Sequence, residues 1–285
     1  MPLPSAKQSM SPQEFKALRD YIYSKCGIYF SDSKQYFLEN RLSRRLTDLG
    51  VQSYQGYLDL LQTAKGREEM RQLFNEVTTN ETSFWRNPPQ IEAFQKVVLP
   101  EAAKLAKSRG ASKVRIWSAA CSSGEEPYTL AMVCLDERDT CLRGLGVDIL
   151  ATDISDKVLG LAQEGKYGAY TLRNLSPAQM SRYFQDRGGE TFEVTPELRK
   201  LVTFRNANLV DYAGYKSLGT FDVIFCRNVL IYFDEPVKAQ VLRGFHDQLN
   251  PYAYLMVGHS ESIHAFGTGF ELLHFSKAMG YRKRP

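Results

Sequence analysis

The stretch VRIWSAACSSGEEPY, residues 114–128, restricts the possible folds more than any other part of the chain. A β-branched and aromatic run ending at Trp117 passes into small residues, Ser118, Ala119, Ala120, Ser122, Ser123 and Gly124, and then into Glu125, Glu126 and Pro127. That order predicts a buried strand, a tight loop and a helix N-terminus, because proline suits a first helical turn and small side chains let a ligand approach the backbone. The loop has one glycine where a dinucleotide fingerprint carries three, and two carboxylates where a pyrophosphate wants bare amides. Its natural occupant carries positive charge and no phosphate. S-adenosylmethionine, with its adenosine, sulfonium and ammonium, meets that description. The plain alternative is a Rossmann-like βα turn whose acids only cap a helix.

At 285 residues the chain exceeds the ~150 expected of one domain, so two domains are expected. Its net charge of +4, from 36 basic and 32 acidic residues, is too small for a general polyanion trap. Basic recognition must therefore be local, and no nucleic-acid partner is expected. Cys26, Cys121, Cys134, Cys141 and Cys226 are odd in number, widely spaced and without a Cys-x-x-Cys pair, which indicates neither a disulfide framework nor a zinc site. A reducing cytoplasm is the simplest home. The start, MPLPSAKQSM, lacks the apolar segment of a signal peptide, and no apolar run nears the ~20 residues of a membrane span. Any link to a membrane would go through a partner.

Ser11-Pro12-Gln13-Glu14 is a capping-box pattern that opens a helix carrying Phe15, Leu18 and Ile22, ended by Cys26-Gly27. A second helix follows Ser31-Asp32, with Leu38, Leu42, Leu46 and Leu49 on one stripe, Arg41 and Arg44 on a flank and Arg45 bordering the stripe. The basic flank reads either as a solvated face or as a dock for an acidic helical partner. Ser53 opens a third helix and Met70, Leu73, Phe74 and Val77 mark a fourth, so residues 11–77 predict an all-helical module. In TTNETSFWRNPP, residues 78–89, Phe84 and Trp85 are costly to leave in water and Asn80, Thr82 and Arg86 bring directional donors. A linker folded back over a cleft accounts for both. A helix over 88–108, bent at Pro100, then leads to the first strand.

Beyond it, residues 147–152 form a second strand ending in Asp153, the place where such folds hold ribose hydroxyls. Its distance from Gly124 exceeds the ~20 residues of a nicotinamide site, and an N-cap aspartate is the alternative reading. Residues 167–203 break the αβ rhythm: a short helix at Ser176-Pro177 and a hairpin strand at TFEV after Arg187-Gly188-Gly189 predict an inserted antiparallel subdomain. The main sheet resumes at 202–205 and 221–226, a helix follows Asp234-Glu235-Pro236, a strand covers 254–257, and two antiparallel strands near 270–275 and 279–282 close the chain. The fold class is thus α/β, a Rossmann-like domain over 91–285 with an insert at 167–203, preceded by helices and linker over 1–90. His246, His259, His264 and His274 lack metal-ligand spacing, so no metal is expected.

The blocks NETSFWR (80–86), WSAACSSGEEPY (117–128), ATDIS (151–155), NANL (206–209), FCRNVLIYFD (225–234) and GHSES (258–262) resemble, in order, those of the chemotaxis receptor glutamate methyltransferases, the CheR family. The resemblance covers nearly the whole chain and implies a class I S-adenosylmethionine-dependent fold. It carries the family's cofactor contacts onto Asn80, Thr82, Arg86, Glu125, Asp153, Asn208, Leu209, Asn228 and Val229. In those roles Glu125 meets the ammonium or sulfonium, with Glu126 an equal candidate, Asp153 the ribose, and Asn208 with Leu209 the adenine. Asn228 and Val229 lie where the methyl should point.

The implied reaction moves a methyl group to a glutamate carboxylate of a chemoreceptor's cytoplasmic helical bundle. Arg86, Tyr232 and Arg227 are the candidates to steer that carboxylate; a paired strand-end arginine and a tyrosine packed beneath the cofactor are the alternatives. Arg41, Arg44 and Arg45 become the receptor-docking candidates, and a cytoplasmic monomer is expected. A nucleic-acid methyltransferase is disfavoured because Asn87-Pro88-Pro89-Gln90 lacks the tyrosine of Asn-Pro-Pro-Tyr and precedes the first strand. A non-catalytic adaptor is disfavoured because every block is intact. The short connection at 185–190 further implies an enzyme that does not need the C-terminal receptor peptide some relatives capture by strand addition.

Overall fold

A computed structural model describes residues 9–263, 266 and 269–284, which divide into two compact units. One comprises the described chain up to Thr79 together with Tyr232–Asp234; the other runs through Asn80–Ile231 and resumes at Glu235. The linker from Asn80 onward thus groups with the second unit, whereas the sequence reading had joined it, up to residue 90, to the helices.

The first unit holds four helices, α1 (Pro12–Cys26), α2 (Gln35–Leu49), α3 (Tyr54–Leu61) and α4 (Gly66–Val77). The Ser11 hydroxyl and the Glu14 carboxylate cap α1 reciprocally, as its sequence predicts, and Ser53 caps α3. Leu38, Leu42 and Leu46 of α2 are buried with Phe15, Leu18 and Ile22 of α1 and Leu73 and Val77 of α4. The segment 232–234 is part of this unit: Phe233 bridges to Ile28, the Tyr29 amide donates to the Tyr232 carbonyl at 2.9 Å, and the Tyr23 hydroxyl donates to Asp234 at 2.8 Å.

The second unit opens with α5 (Pro88–Ala93), a π-helical turn (Phe94–Val98) and α6 (Leu99–Ser108). Pro100 sits in the first turn of α6, directly after that wide turn, in which the Leu99 amide reaches back to the Phe94 carbonyl. There follow β1 (Lys113–Ala119), α7 (Glu125–Asp136), β2 (Gly146–Asp153) and α8 (Asp156–Glu164). The insert comprises β3 (Lys166–Gly168), α9 (Ala169–Leu172), α10 (Pro177–Tyr183), β4 (Phe184–Asp186), β5 (Thr191–Val194) and α11 (Pro196–Arg199). The chain returns through β6 (Val202–Asn206), α12 (Tyr212–Tyr215), β7 (Phe221–Cys226), α13 (Glu235–Gln248), β8 (Leu249–Val257), β9 (Phe270–Phe275) and β10 (Ala278–Lys283).

Seven strands form one sheet in the order β6-β2-β1-β7-β8-β10-β9, parallel from β6 to β8, with β10 antiparallel to both its neighbours. The strand order turns between β1 and β7. A crevice at the C-terminal ends of those strands is where such sheets take ligands. Trp117 on β1 is fully buried among Tyr215, Phe221 and Phe245, and its indole N–H donates to the Thr152 hydroxyl at 2.9 Å. The insert's own sheet is β3-β5-β4, antiparallel throughout; β3 went unread because three residues are too few to show alternation.

Candidate cofactor site

The loop between β1 and α7 bends through three left-handed residues, Ala120 (φ 60°), Ser122 (φ 50°) and Gly124 (φ 95°). Only the last is glycine, so the loop carries backbone strain of the kind found where a ligand is cradled. At Gly124 a side chain is barred twice over, by its φ and because a Cβ would lie 2.8 Å from the Tyr167 hydroxyl and 2.9 Å from the Ala162 Cβ. The Tyr167 hydroxyl donates to the Ser123 carbonyl at 2.8 Å, which holds the loop against the insert.

Asp153, at the C-terminal end of β2, is buried and receives two amides, Ser122 N–H at 2.9 Å and Ser155 N–H at 3.0 Å. Ser155 rather than Asp153 caps α8. Burial pushes the Asp153 carboxyl above the usual aspartate range while the two amides pull it back. Each carboxylate oxygen has a further lone pair for a hydroxyl. The Ala207 amide donates to the Asp153 carbonyl at 3.0 Å and so brings Asn208 and Leu209, just beyond β6, to the same sheet end.

Glu125 and Glu126, equivalent in sequence, part here. Glu126 accepts from the Ser118 hydroxyl at 2.7 Å and from Arg227 at 3.2 Å. Glu125 is the fully buried one of the two; it accepts from the Ser123 hydroxyl at 2.7 Å, and burial raises its carboxyl above the usual glutamate range. Arg227, buried at the end of β7, also donates to the Gln90 side chain at 2.8 Å and to the Arg86 carbonyl at 2.6 Å. Arg227 is thus the paired strand-end arginine of the alternative reading, and it ties α7 to the linker. Burial depresses its guanidinium and Glu126 counteracts that.

The linker does fold back on this unit. The Ser122 hydroxyl donates to the Asn80 carbonyl at 3.0 Å, the Trp85 amide to the Thr129 hydroxyl at 3.1 Å, and the Phe84 amide to the Thr171 carbonyl at 2.9 Å. Phe84 is fully buried edge-on to Tyr167 and Phe184. Thr82 and Arg86 are half-buried, and Arg86 donates to the Glu81 carbonyl at 2.9 Å.

Past β7, Asn228 is left-handed (φ 61°), and the Asn228 and Val229 amides both donate to Glu261, at 2.8 and 2.9 Å. Glu261 was not singled out from the sequence. It lies more than 30 residues from these partners, and its place in the GHSES block is the sequence signal that points to it. Among the described residues no group of histidine, cysteine and carboxylate side chains has metal-binding geometry; His264 lies outside them.

The basic flank of α2 is not uniform. Arg45 makes a two-pronged ion pair with buried Glu69, at 3.0 and 2.6 Å, which Tyr57 shares at 2.7 Å. That ion pair engages the Arg45 guanidinium within the helical unit. Arg41 lies over the Phe37 ring and donates to the Glu76 carbonyl at 3.2 Å. Arg44 is 89% exposed, 3.9 Å from Asp48.

Comparison with known proteins agrees with this architecture. Residues 13–78 match the family described as "CheR methyltransferase, all-alpha domain" and residues 80–279 the one described as "CheR methyltransferase, SAM binding domain". Chemotaxis protein methyltransferase 1 of Pseudomonas aeruginosa is 38% identical over 280 residues, covering 97% of this chain and 100% of its own. Chemotaxis protein methyltransferase 2 of Vibrio cholerae is 37% identical over 270 residues, with 95% and 92% covered. The chemotaxis protein methyltransferase of Borreliella burgdorferi is 35% identical over 255 residues, with 90% of each chain covered.

Proposed function

The chain belongs to the CheR methyltransferase family and is an S-adenosyl-L-methionine-dependent methyltransferase of chemotaxis, and from that premise we propose that it esterifies glutamate side chains of chemoreceptor cytoplasmic domains. The observation that carries this reading is the presence of Asp153 and Glu125 at one end of the parallel sheet, two buried carboxylates with no ion pair among the described residues, beside a strained small-residue loop. That donor set suits a cationic nucleoside. Asp153 would hold the ribose hydroxyls, Glu125 the ammonium or sulfonium, Asn208 and Leu209 the adenine, with Asn80, Thr82, Arg86, Asn228 and Val229 completing the enclosure.

When bound, S-adenosyl-L-methionine supplies an electrophilic methyl group; a glutamate oxygen takes it, the sulfur keeps the bonding pair, and a methyl ester and S-adenosyl-L-homocysteine result. A glutamate of ordinary pKa, about 4.3, is already ionised at neutral pH, so no general base is needed. The chain's contribution is to align the carboxylate and exclude water, a proximity effect on the order of several kcal/mol. Arg86 and Tyr232 are assigned to steering it. Arg227, whose donors go to Glu126, Gln90 and the Arg86 carbonyl, is assigned to positioning Arg86. The test is transfer of tritiated methyl from the cofactor into receptor-containing membranes from a cytoplasmic extract, released by base as methanol. Label that stays bound after base would exclude a carboxyl ester.

For the receptor contact we assign Arg44. Arg44→Glu is expected to raise the receptor KM roughly threefold to tenfold and to flatten the salt dependence of the rate, without altering cofactor affinity. Initial rates over a salt series measure this; an unchanged KM at low salt would return Arg44 to the solvated surface.

The insert supports tether-independent recognition. The β4–β5 connection is closed by the Thr191 amide on the Gly188 carbonyl at 3.1 Å and the Arg187 amide on the Thr191 carbonyl at 2.9 Å, leaving little wall for an added strand. Titration with an aromatic-containing receptor-tail pentapeptide is expected to show no binding at micromolar concentration. A clear low-micromolar isotherm would reverse this assignment.

A further inference from the structure

We propose that Glu261 is a positioning residue for methyl transfer, its carboxylate gathering four backbone amides and so setting the shape of loop 228–231. The proposal rests on Asn228 and Val229 lining the cofactor. Glu261 Oε2 accepts from the Asn228 amide at 2.8 Å and the Gly258 amide at 2.7 Å, and Oε1 from the Val229 amide at 2.9 Å and the Ile231 amide at 3.2 Å. A carboxylate has about four lone-pair sites, so its acceptor capacity is filled by main chain. The side chain is buried and lies outside the strands of the sheet.

The arrangement follows from the topology. Cys226 and Val257 are register partners at the ends of β7 and β8, so the turns that follow them run side by side. Glu261 closes the second turn, its own amide donating to the Gly258 carbonyl at 2.9 Å, and reaches across to the first. Gly258 leaves the room: a Cβ there would sit 2.6 Å from Glu261 Oε2 and 3.0 Å from the Asn228 nitrogen. Asn228 holds a left-handed conformation that costs a non-glycine residue on the order of 1 kcal/mol, and its bonded amide helps retain it. In a trans peptide the preceding carbonyl lies opposite the N–H, so drawing the Asn228 and Val229 amides toward Glu261 turns the Arg227 and Asn228 carbonyls to the other side of the loop. One carboxylate therefore orients both peptide groups that flank the methyl-bearing end of the site.

Two variants disturb this contact differently. Glu261→Gln leaves one acceptor oxygen and sets an NH2 group against two amide donors, whereas Gly258→Ala pushes the carboxylate away without changing its charge. Both are titrated calorimetrically with S-adenosyl-L-homocysteine and assayed with receptor membranes, beside two controls. Asp153→Ala reports on the cofactor site. Asp222→Asn loosens the far end of β7, where Asp222 accepts from the Arg115 amide at 2.9 Å and from Asn250 at 2.8 Å, and corrects for general loss of stability.

The expected result is binding weakened about tenfold in both Glu261→Gln and Gly258→Ala, with kcat reduced and the receptor KM unchanged. Asp222→Asn should bind normally at an equal melting temperature. Wild-type affinity in both loop variants, with Asp153→Ala weakened, would overturn the inference and leave the cofactor site standing. Unchanged affinity in Asp153→Ala would remove Asp153 from the cofactor assignment on which the inference rests. An Asp222→Asn loss matching that of Glu261→Gln would reduce the clamp to ordinary stability. Should Glu261→Gln fail to fold, Gly258→Ala decides between these outcomes.

Discussion

Asp153→Ala is expected to weaken S-adenosyl-L-homocysteine binding about a hundredfold, because two charge-assisted hydrogen bonds to ribose are each worth about 1.5–3 kcal/mol and only part is recovered by water. The same substitution strips the Ser122 and Ser155 amides of their acceptor, so it should also lower stability, by about 1–3 kcal/mol. The carboxylate is buried, so those two main-chain donors have no water to turn to. Asp153→Asn keeps one acceptor oxygen and should fall between the two. Glu125→Ala, which removes a charge held by the Ser123 hydroxyl and by the residue's own amide, is expected to cost about tenfold in affinity at little cost in melting temperature. Calorimetric titration beside a thermal melt separates these effects, and unchanged affinity in both alanine variants would dismantle the cofactor site.

The second large effect is expected at Arg227. Arg227→Met leaves the largely enclosed Glu126 without its cation and deprives the Gln90 side chain and the Arg86 carbonyl of their donor, a class of change that costs about 3–5 kcal/mol. The melting transition should fall by on the order of 10 °C. Adding Glu126→Gln should recover part of the loss, since the remaining penalty is then that of neutral polar groups. Activity should fall in the single variant beyond what stability explains, because Arg86 loses its anchor. Equal denaturation midpoints for Arg227→Met and the unaltered protein would mean that the ion pair contributes nothing and that other contacts hold the linker.

Much of the fold could be read along the chain because its signals are local. The Ser11 capping box, the leucine stripe of α2, the buried run of β7 and the Ser176-Pro177 helix start depend on neighbours within a few residues, and each element formed where its own residues direct it. The same holds for the strand, small-residue loop and acidic helix start at 114–128. At the expected break near Pro100 the helix instead widens over Phe94–Val98, a π-helical turn that nothing local in the sequence announces. At β8 the strand begins at Leu249, earlier than the sequence suggested, because sheet pairing with Phe221 carries it through Asn250 and Pro251.

What the sequence by itself determined was the set of chemical groups at the sheet's end and the order in which they arrive: small loop, two acids, Asp153, Asn208, Asn228. Tertiary structure alone decided which of those groups are already engaged. Glu125 and Glu126 are identical side chains at adjacent positions, and only the approach of Arg227 from β7 consumes one and leaves the other. Arg41, Arg44 and Arg45 share a flank of one helix, yet Glu69 on α4 takes Arg45 into the helical unit while Arg44 remains exposed. Glu261 gained its role only when β7 and β8 paired and laid two turns against each other. Helical and strand periodicity are written in neighbouring residues; the partner of a buried charge is chosen by chain segments far apart in sequence, and hydrogen bonds and ion pairs reach only a few ångströms, so that choice is made in the fold.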